Sequence, residues 1–203
     1  PRVPSQLTMK RMPISAPANL GGRRVILASG SPRRKELLTL IVPEFDVIPS
    51  DIDETASGSP EQQVEKLAAD KAADIARQFP DAVVIGADTL VTVCGRVLGK
   101  PRDAEEAAAM LHLLSGRDHI VYTGVAVASG GAMRTAGEST RVIFSSMTDD
   151  EIREYISTGE PMDKAGAYGI QGYGGKYITG IEGCFFNVMG LPLNRLYNML
   201  KSL

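Results

Sequence analysis

The fold is decided at residues 25–38, which read VILASGSPRRKELL. The first four residues form a short apolar run, and such a run predicts a strand buried on both faces. Ser31 and Pro32 follow shortly after it. This pair is typical of a helix start, with the serine as N-cap and the proline in the first turn. A strand that leads directly into a helix is the building unit of α/β proteins.

The same alternation continues along the chain. Strands are predicted over 45–48 and 82–85, and a capping box of Ser59 and Gln62 opens a long helix that ends near Phe79. The later part predicts a hairpin over 90–97, helices over 103–115, 148–159 and 193–200, a strand pair over 119–128 and 133–144, and a second hairpin over 176–181 and 184–188. We therefore predict an α/β fold with a mixed sheet. Parallel sheets bind ligands beyond the carboxyl ends of their strands, so a site is expected just after residues 28 and 85.

Composition excludes several classes of protein. The 203 residues carry 22 lysines and arginines against 24 acidic residues, a net charge of −2, so no overall positive field favours binding to a nucleic acid polymer. The two cysteines, Cys94 and Cys184, lie far apart, which argues against a disulfide framework or a zinc site and favours a reducing compartment. No apolar run approaches the roughly 18 residues of a membrane span.

Residues 1–22 differ from the rest of the chain. They contain three basic residues, four prolines and no acidic residue, which is typical of a solvated segment. The prolines interrupt the amphipathic helix that a targeting leader would need. We interpret 1–22 as a disordered tail or a remnant of expression, and 23–203 as a single domain.

The first candidate site lies at the strand–helix junction, over residues 29–34. Backbone N–H groups at the helix start, two serine hydroxyls and the guanidinium groups of Arg33 and Arg34 converge there, and guanidinium groups pair well with phosphate oxygens. The alternative is an N-cap followed by two solvated arginines. Composition does not decide between the two interpretations.

The second candidate is Asp88, which follows the most apolar predicted strand in the stretch GADT at 86–89. A carboxylate at the carboxyl edge of a sheet can bind a divalent cation or take a proton from water. The alternative is an aspartate that caps a turn. The position of Asp88 after a buried strand favours the functional interpretation.

Lys71 is the third candidate, because it lies in the apolar stripe of the long helix. It stands four residues after Leu67 and seven after Val64, on the same helix face. Its side chain either extends along its stem to solvent or reaches an anion in a polar cleft. Since Lys66 and Asp70 already belong to the solvent face, we favour the cleft.

Other stretches contain polar residues whose role the pattern leaves open. The acidic loop 51–54 either provides a metal ligand or is solvated. Lys100 follows the predicted hairpin, where the spacing excludes a P-loop. The stretch 163–172 combines a lysine, a glutamine and several glycines, so it either approaches a ligand or forms a long turn. His112 and His119 have no nucleophile pattern beside them and are interpreted as structural.

Taken together, these stretches resemble the Maf family of nucleoside triphosphate pyrophosphatases from about Arg24 to Leu200. No single segment would be specific, but they occur in the order found in that family. They are LASGSPRRKELL at 27–38, ADKA at 69–72, IGADTLV at 85–91, GKPRDAEEAAAMLHLLSGRDHIVYTGVAV at 99–127, and GEPMDKAGAYGIQGYGG at 159–175 with GLPL at 190–193. The resemblance implies an elongated mixed β-sheet flanked by helices, with two lobes around a central cleft, of the Maf/ITPase-like kind.

The resemblance also implies roles for single residues. Asp88, Lys71 and Glu54 match catalytic positions, and Glu54 and Asp88 match the ligands of a divalent metal cation, Mg²⁺ or Mn²⁺. The substrate-binding positions are Ser29, Arg33, Arg34, Lys100 and Lys164. The positions that set specificity are Arg33, Thr89 and Gln171, and these three residues are similar to the branch that acts on dTTP and UTP.

The implied activity is hydrolysis of dTTP, UTP or modified pyrimidine nucleotides to the monophosphate and pyrophosphate, by a metal-dependent, cytoplasmic homodimer. The nucleoside triphosphate is the expected partner, and neither a nucleic acid polymer nor a membrane is expected. The alternative is a nucleotide-sensing regulator of cell division or septum formation without significant turnover. Such a regulator would need the cleft but not the carboxylates.

Overall fold

The computed structural model describes residue 17 and residues 20–203. The strands are β1 (Val25–Leu27), β2 (Asp46–Val47), β3 (Val83–Val93), β4 (Arg96–Leu98), β5 (Asp118–Ser129), β6 (Ala132–Phe144) and β7 (Ile178–Glu182). The helices are α1 (Pro32–Leu38), α2 (Pro60–Gln78), α3 (Ala104–Leu114), α4 (Asp149–Ser157), α5 (Phe185–Met189) and α6 (Leu193–Lys201). The strands form one mixed sheet in the order β2-β1-β3-β5-β6-β7, with β4 paired to β3. The predicted α/β fold with a mixed sheet flanked by helices is confirmed.

Strand β3 has two different partners along one edge, and this arrangement creates the cleft. β1 runs parallel to residues 83–85, and β4 runs antiparallel to residues 91–93. β5 pairs with the opposite edge from 84 to 92. Among the described residues, 86–90 therefore have no strand neighbour on the edge that β1 and β4 share. The cleft opens at this gap in the sheet.

The continuity of β3 corrects the predicted strand, which ended at residue 85. Asp88 lies in the middle of β3 and not after its end, because β5 pairs with every residue of this stretch. It is β1 that ends here, at Leu27 opposite Ile85. The cleft opens just after the end of β1, as expected for residue 28. On β3 it opens beside the middle of the strand, at the point where the neighbouring strand β1 ends.

One face of β3 carries two hydrophobic cores, and the other face carries helix α2. Since side chains alternate along a strand, residues 83, 85 and 87 pack with α1, α5 and α6, and residues 91 and 93 pack with α3 and α4. The intervening Thr89 lies between the two cores. The third core, between α2 and the sheet, includes Val84 on the opposite face. The cleft thus lies between two lobes, and the long strands β3 and β5 run through both.

Two glycines let α2 approach the sheet closely. A Cβ atom at Gly86 would lie 2.1 Å from the backbone oxygen of Ala68, and one at Gly124 would lie 2.2 Å from the backbone oxygen of Val64. Real Cβ atoms do not tolerate such distances. Only glycine fits at these two positions, and the close approach brings the apolar stripe of α2, including Lys71, against β3.

The predicted hairpin over 176–181 and 184–188 is wrong. Residues 178–182 pair with β6, and residues 185–189 form the short helix α5. The amide of Asn187 in α5 donates hydrogen bonds to the backbone oxygen of Val121 and to the hydroxyl of Thr140. Five residues that are apolar except for Asn187 do not distinguish strand from helix by periodicity, so these long-range bonds decide.

The predicted tail over 1–22 lies largely outside the described residues. At its end, Leu20 is only 4% exposed and belongs to the core formed with α1 and α6. The packed part of the chain therefore begins before residue 23. Among the described helices, none is both long enough and apolar enough to cross a membrane.

Candidate active site

The gap beside β3 opens into a cavity of about 620 Å³. The structure brings all ten predicted site residues to its walls: Ser29, Arg33, Arg34, Glu54, Lys71, Asp88, Thr89, Lys100, Lys164 and Gln171. They come from the β1–α1 junction, the loop before α2, α2 itself, β3, the segment after β4 and the segment after α4. The lining contains five cationic residues against three acidic ones, so the cavity favours an anionic ligand.

A buried ion pair lies at the centre of the cavity. Lys71 Nζ donates to Asp88 Oδ1 at 2.7 Å, and Lys71 and Asp88 are each 7% exposed. The same Nζ lies 2.7 Å from Glu54 Oε1, on the exposed loop before α2. The hydrogen bond from Lys71 lowers the pKa of Glu54 below its ordinary value, even though partial burial opposes this. The prediction that Lys71 reaches an anion in a cleft is confirmed by this geometry.

Arg34 is held by neutral oxygens at the base of the cleft. Its guanidinium group donates to the Ser29 hydroxyl at 3.1 Å, to the Thr89 hydroxyl at 3.0 Å and to the backbone oxygen of Gly190 at 2.9 Å. Burial lowers the pKa of Arg34, and the charge of Asp88 opposes that shift. Because these bonds end on neutral groups, the positive charge of Arg34 can pair with an anionic ligand.

The hydroxyl of Thr89 extends this network away from the cavity. It forms a hydrogen bond of 3.0 Å with the Thr123 hydroxyl, which donates in turn to the backbone oxygen of Asn187. Thr123 and Asn187 are fully buried. The position of Thr89 is therefore fixed from the interior, and Thr89 in turn orients Arg34.

Arg33 points to the opposite rim of the cleft. Its Nη1 donates to Asp163 Oδ2 at 2.9 Å and its Nη2 to the backbone oxygen of Asp163 at 3.2 Å. Lys164 Nζ donates to the other carboxylate oxygen of Asp163 at 2.7 Å. Hydrogen bonds from these two cations hold the pKa of Asp163 below its ordinary value, although partial burial acts the other way. Asp163 thus joins two predicted substrate-binding cations across the cleft.

Lys100 and Gln171 are exposed and line the cavity from opposite segments. The three predicted specificity residues share the cavity, where Thr89 accepts a hydrogen bond from Arg34 and Arg33 donates to Asp163. No group of three or more His, Cys, Asp or Glu residues suited to a metal ion occurs in the part of the chain that the structure describes.

Sequence reasoning did not select three residues that shape this cleft: Asp163, Glu160 and Asn187. Asp163 and Glu160 lie beside lysine and glycine in a polar stretch, where an acidic residue usually indicates solvent exposure. Asn187 lies in a stretch predicted as a strand. The glycines at 169, 172 and 174 were a signal in the sequence that this segment packs closely against other residues. In the structure, a Cβ atom at each would come within about 3 Å of the side chain of Glu160, Lys164 or Tyr155.

The two histidines lie away from the cavity lining. His119 Nε2 forms a hydrogen bond of 2.7 Å with the Tyr168 hydroxyl, and its ring packs edge-on against Phe144 and Tyr168. Burial lowers the pKa of His119 to about 4. His112 is about half exposed and lies 3.9 Å from a carboxylate oxygen of Asp149. These positions agree with the structural interpretation of both residues.

The open sheet, the cationic cleft and the buried Lys71–Asp88 pair together define an α/β protein with a site for a small polyanion. The chain belongs to the Maf family, because the family model described as Maf-like protein matches residues 24–203.

Relatives of known name cover most of the chain. A dTTP/UTP pyrophosphatase of Pelotomaculum thermopropionicum is 54% identical over 184 residues, which cover 89% of this chain and 96% of the relative. A protein of the same name from Geobacillus sp. strain WCH70 is 51% identical and covers 89% of this chain and 98% of its own length. Among solved structures, the Ham1 protein of Staphylococcus aureus matches with a TM-score of 0.53 at 15% identity, over 89% of this chain and 99% of that chain. This last likeness concerns the fold alone.

Proposed function

We propose that this chain hydrolyses dTTP and UTP, or modified pyrimidine relatives, to the nucleoside monophosphate and pyrophosphate. The observation that carries the proposal is the cleft at the gap of β3, which places a buried carboxylate among five cationic side chains. Relatives that are about half identical over nearly their whole length bear the name of this activity and support it.

The cationic residues suit a triphosphate chain. Arg34 is rigidly held at the floor, Arg33 and Lys164 stand at the opposite rim, and Lys100 is exposed at the mouth. Guanidinium and ammonium groups neutralise phosphate oxygens and stabilise the charge that develops on a leaving pyrophosphate. Asp163 pairs with Arg33 and Lys164, and we expect the phosphates to compete with it for both cations.

Asp88 is the proposed general base. A water molecule attacks the α-phosphorus, its oxygen forms the new P–O bond, and Asp88 takes the proton. The bond between the α-phosphorus and the oxygen that bridges to the β-phosphorus breaks, and pyrophosphate leaves with the electron pair. Lys71 orients the carboxylate of Asp88 through the hydrogen bond of 2.7 Å.

The donor set of the site fits a divalent metal such as Mg²⁺ or Mn²⁺. The carboxylates of Glu54 and Asp88 are neighbours, since one oxygen of each lies 2.7 Å from the ammonium nitrogen of Lys71. This ammonium group occupies the point between those two oxygens, so a metal would bind through the other oxygen of each carboxylate. Mg²⁺ is bound in many phosphate sites by one or two carboxylates together with substrate phosphates. Glu54 and Asp88 are the proposed ligands, and a bound metal would withdraw charge from the phosphate oxygens.

Three side chains of the cavity lining are proposed to select the base: Arg33, Thr89 and Gln171. Thr89 fixes Arg34 from β3, and Gln171 offers an amide donor and acceptor from the segment after α4. Arg33 is the third proposed specificity residue. Its bonds to Asp163 tie it to the segment that leads to Gln171.

A nucleotide panel tests the proposal directly. The protein is incubated with Mg²⁺ and each of the common ribo- and deoxyribonucleoside triphosphates in ¹⁸O-labelled water, and products are resolved by ³¹P NMR and mass spectrometry. We expect dTTP and UTP to yield monophosphate and pyrophosphate, with the label in the monophosphate. Orthophosphate release, or label in the pyrophosphate, would contradict attack at the α-phosphorus. Tight binding without turnover under any divalent metal would favour the nucleotide-sensing alternative.

The domain organisation, the oligomeric state and the compartment are also part of what we propose. We propose a single catalytic domain that comprises residues 23–203 together with the packed Leu20, in a cytoplasmic homodimer that binds neither nucleic acid polymers nor membranes. Cys94 and Cys184 are free thiols, which supports a reducing compartment. The homodimer rests on the family resemblance, and analytical ultracentrifugation at micromolar concentration tests it.

A further inference from the structure

Glu160 organises the segment that carries Gln171, although Glu160 itself does not line the cavity. Its Oε1 accepts hydrogen bonds from the Tyr155 hydroxyl at 2.7 Å and from the Gly174 N–H at 3.0 Å. Its Oε2 accepts one from the Tyr173 N–H at 2.8 Å. Hydrogen bonds to an ionised acceptor are roughly twice as strong as neutral ones. One carboxylate therefore connects α4 to the segment 169–174.

The segment 169–174 is shaped around this carboxylate. A Cβ atom at Gly172 would lie 2.0 Å from Glu160 Oε2, and one at Gly174 would lie 2.6 Å from the Tyr155 hydroxyl. The N–H of Gly169 donates to the same hydroxyl at 3.0 Å. With Tyr155 and Glu160 in these positions, a side chain at Gly172 or Gly174 would displace one of them.

The charge of Glu160 is maintained by its donors. Burial acts to raise the pKa of this carboxyl group, but the hydrogen bonds from the Tyr155 hydroxyl and from the N–H groups of Gly174 and Tyr173 outweigh it and lower the pKa. The group is thus ionised at neutral pH and has acceptor sites for all three donors. A neutral amide at this position has a single acceptor oxygen and would turn its NH₂ group toward a donor.

Gln171 needs such an anchor to select a base. A glutamine amide matches the donor–acceptor edge of uracil, and after a rotation of 180° it also matches the edge of cytosine. The type of side chain alone therefore does not discriminate. Selection requires that the segment holding Gln171 approach the base in one fixed position.

We propose that Glu160 is a positioning residue for base selection, which holds the segment 169–174 so that Gln171 faces the base in the cavity. The inference rests on the proposed function, and it concerns the choice of base and not the hydrolytic step. Lys164, a proposed phosphate-binding residue, does not depend on the Glu160 carboxylate, because its Nζ donates to the backbone oxygen of Glu160 at 2.7 Å. This backbone contact remains when the side chain is changed.

The experiment compares Glu160→Gln with the matched control Glu154→Gln, whose side chain is exposed on α4. Steady-state kinetics with UTP and CTP give the selectivity, and competitive inhibition by inorganic tripolyphosphate reports the phosphate side alone. We expect Glu160→Gln to raise KM for UTP about tenfold and to lower the UTP/CTP ratio of kcat/KM about tenfold. The inhibition constant of tripolyphosphate stays within about twofold, because the phosphate-binding cations keep their contacts. An unchanged ratio, or an equal loss of tripolyphosphate affinity, would overturn the proposal.

Two further variants separate positioning from general damage. Tyr155→Phe removes only the hydroxyl that bridges Glu160 and Gly169, and it should also lower the UTP/CTP ratio of kcat/KM. It tests the proposal even if Glu160→Gln does not fold. The double variant Glu160→Gln with Gln171→Ala should lose no more selectivity than Gln171→Ala alone. Additive losses would mean that Glu160 does not act through Gln171.

A failure of the proposed function gives a different result. If the wild-type protein turns over no nucleotide, calorimetry with the non-hydrolysable α,β-imido triphosphates of uridine and cytidine measures the same ratio as an affinity ratio. A drop in this ratio for Glu160→Gln would support the positioning role without hydrolysis. An unchanged affinity ratio would refute it.

Discussion

Replacing Gly86 with alanine tests whether the contact between α2 and β3 sets the active-site geometry. The new Cβ atom would lie 2.1 Å from the backbone oxygen of Ala68 and 2.9 Å from the backbone nitrogen of Ala72. Both atoms belong to the main chain of α2, so no side-chain rotation relieves the overlap. An ordinary contact of about 3.4 Å requires α2 to withdraw by about 1.3 Å. Lys71 moves with the helix and away from Asp88.

The expected effects follow from this displacement. Overpacking costs about 1–3 kcal/mol in typical cores, and a main-chain overlap belongs at the upper end, near 3 kcal/mol. For a chain of this size, that corresponds to a decrease in Tm of about 6–12 °C. A shift of about 1 Å in a catalytic group costs about 10²-fold in rate, so kcat for UTP should fall by that factor in the folded variant.

Calorimetric unfolding and UTP turnover measure the two effects. The matched control is Gly180→Ala on β7, where a Cβ atom would meet its nearest neighbour at 3.8 Å. This control should keep both Tm and kcat, or gain slightly in stability because alanine restricts the unfolded chain. If Gly86→Ala retains the wild-type Tm and kcat, the glycine contact does not set the geometry, and the reasoning fails.

Three further predictions concern single side chains. Asp88→Asn should lower kcat about 10³-fold with nucleotide binding retained in calorimetry, because the general base is lost and the shape is kept; normal turnover would remove Asp88 from the mechanism. Thr89→Val leaves a guanidinium nitrogen of Arg34 without its acceptor, so KM should rise about tenfold for UTP and CTP alike, because Arg34 binds the phosphates that both share; a fall in the UTP/CTP preference would show that Thr89 also selects the base, and an unchanged KM would argue against the role of Thr89 in orienting Arg34. Burial lowers the pKa of His119 from 6.5 to about 4. Between pH 6.5 and pH 4, His119 is therefore protonated in the unfolded chain but neutral in the folded chain. The free energy of unfolding should therefore decrease by about 3 kcal/mol between pH 6.5 and 4, and His119→Gln should flatten this dependence in urea titrations; an equally steep decrease in the variant would assign it to other groups.

Local signals were sufficient to predict where most helices begin. Ser31, Ser59, Asp103 and Thr148 cap α1, α2, α3 and α4 as the sequence predicts, because a cap depends on residues within one turn. The course of β3 through Gly86 and Asp88 was not predictable in this way. Glycine and aspartate are rare in strands, and here the pairing with β5 and the packing of α2 override that preference.

In the candidate site, too, some residues could be found from local patterns and others depend on contacts between distant segments. Lys71 could be singled out because a charge in an apolar stripe is out of place, and its partner Asp88 because of its position after a buried run. The bond between Arg33 and Asp163 joins residues that are 130 positions apart, and no local pattern predicts such a pair. Glu160 was missed for a similar reason, since two of its three donors are the backbone N–H groups of Tyr173 and Gly174, which follow it by 13 and 14 positions.

The alternation of side chains along β3 has a consequence for how such a site can change. Asp88 faces α2 with Lys71, whereas Thr89 faces the opposite side of the sheet with Arg34 and Thr123. Both line one cavity only because β3 lacks a strand neighbour at the gap. The proposed hydrolytic group and the proposed base-selecting group are thus adjacent in sequence but supported by different cores. Substitutions around Thr89 can therefore alter the choice of base while the Lys71–Asp88 pair keeps its geometry, because the two share a backbone and not a packing environment.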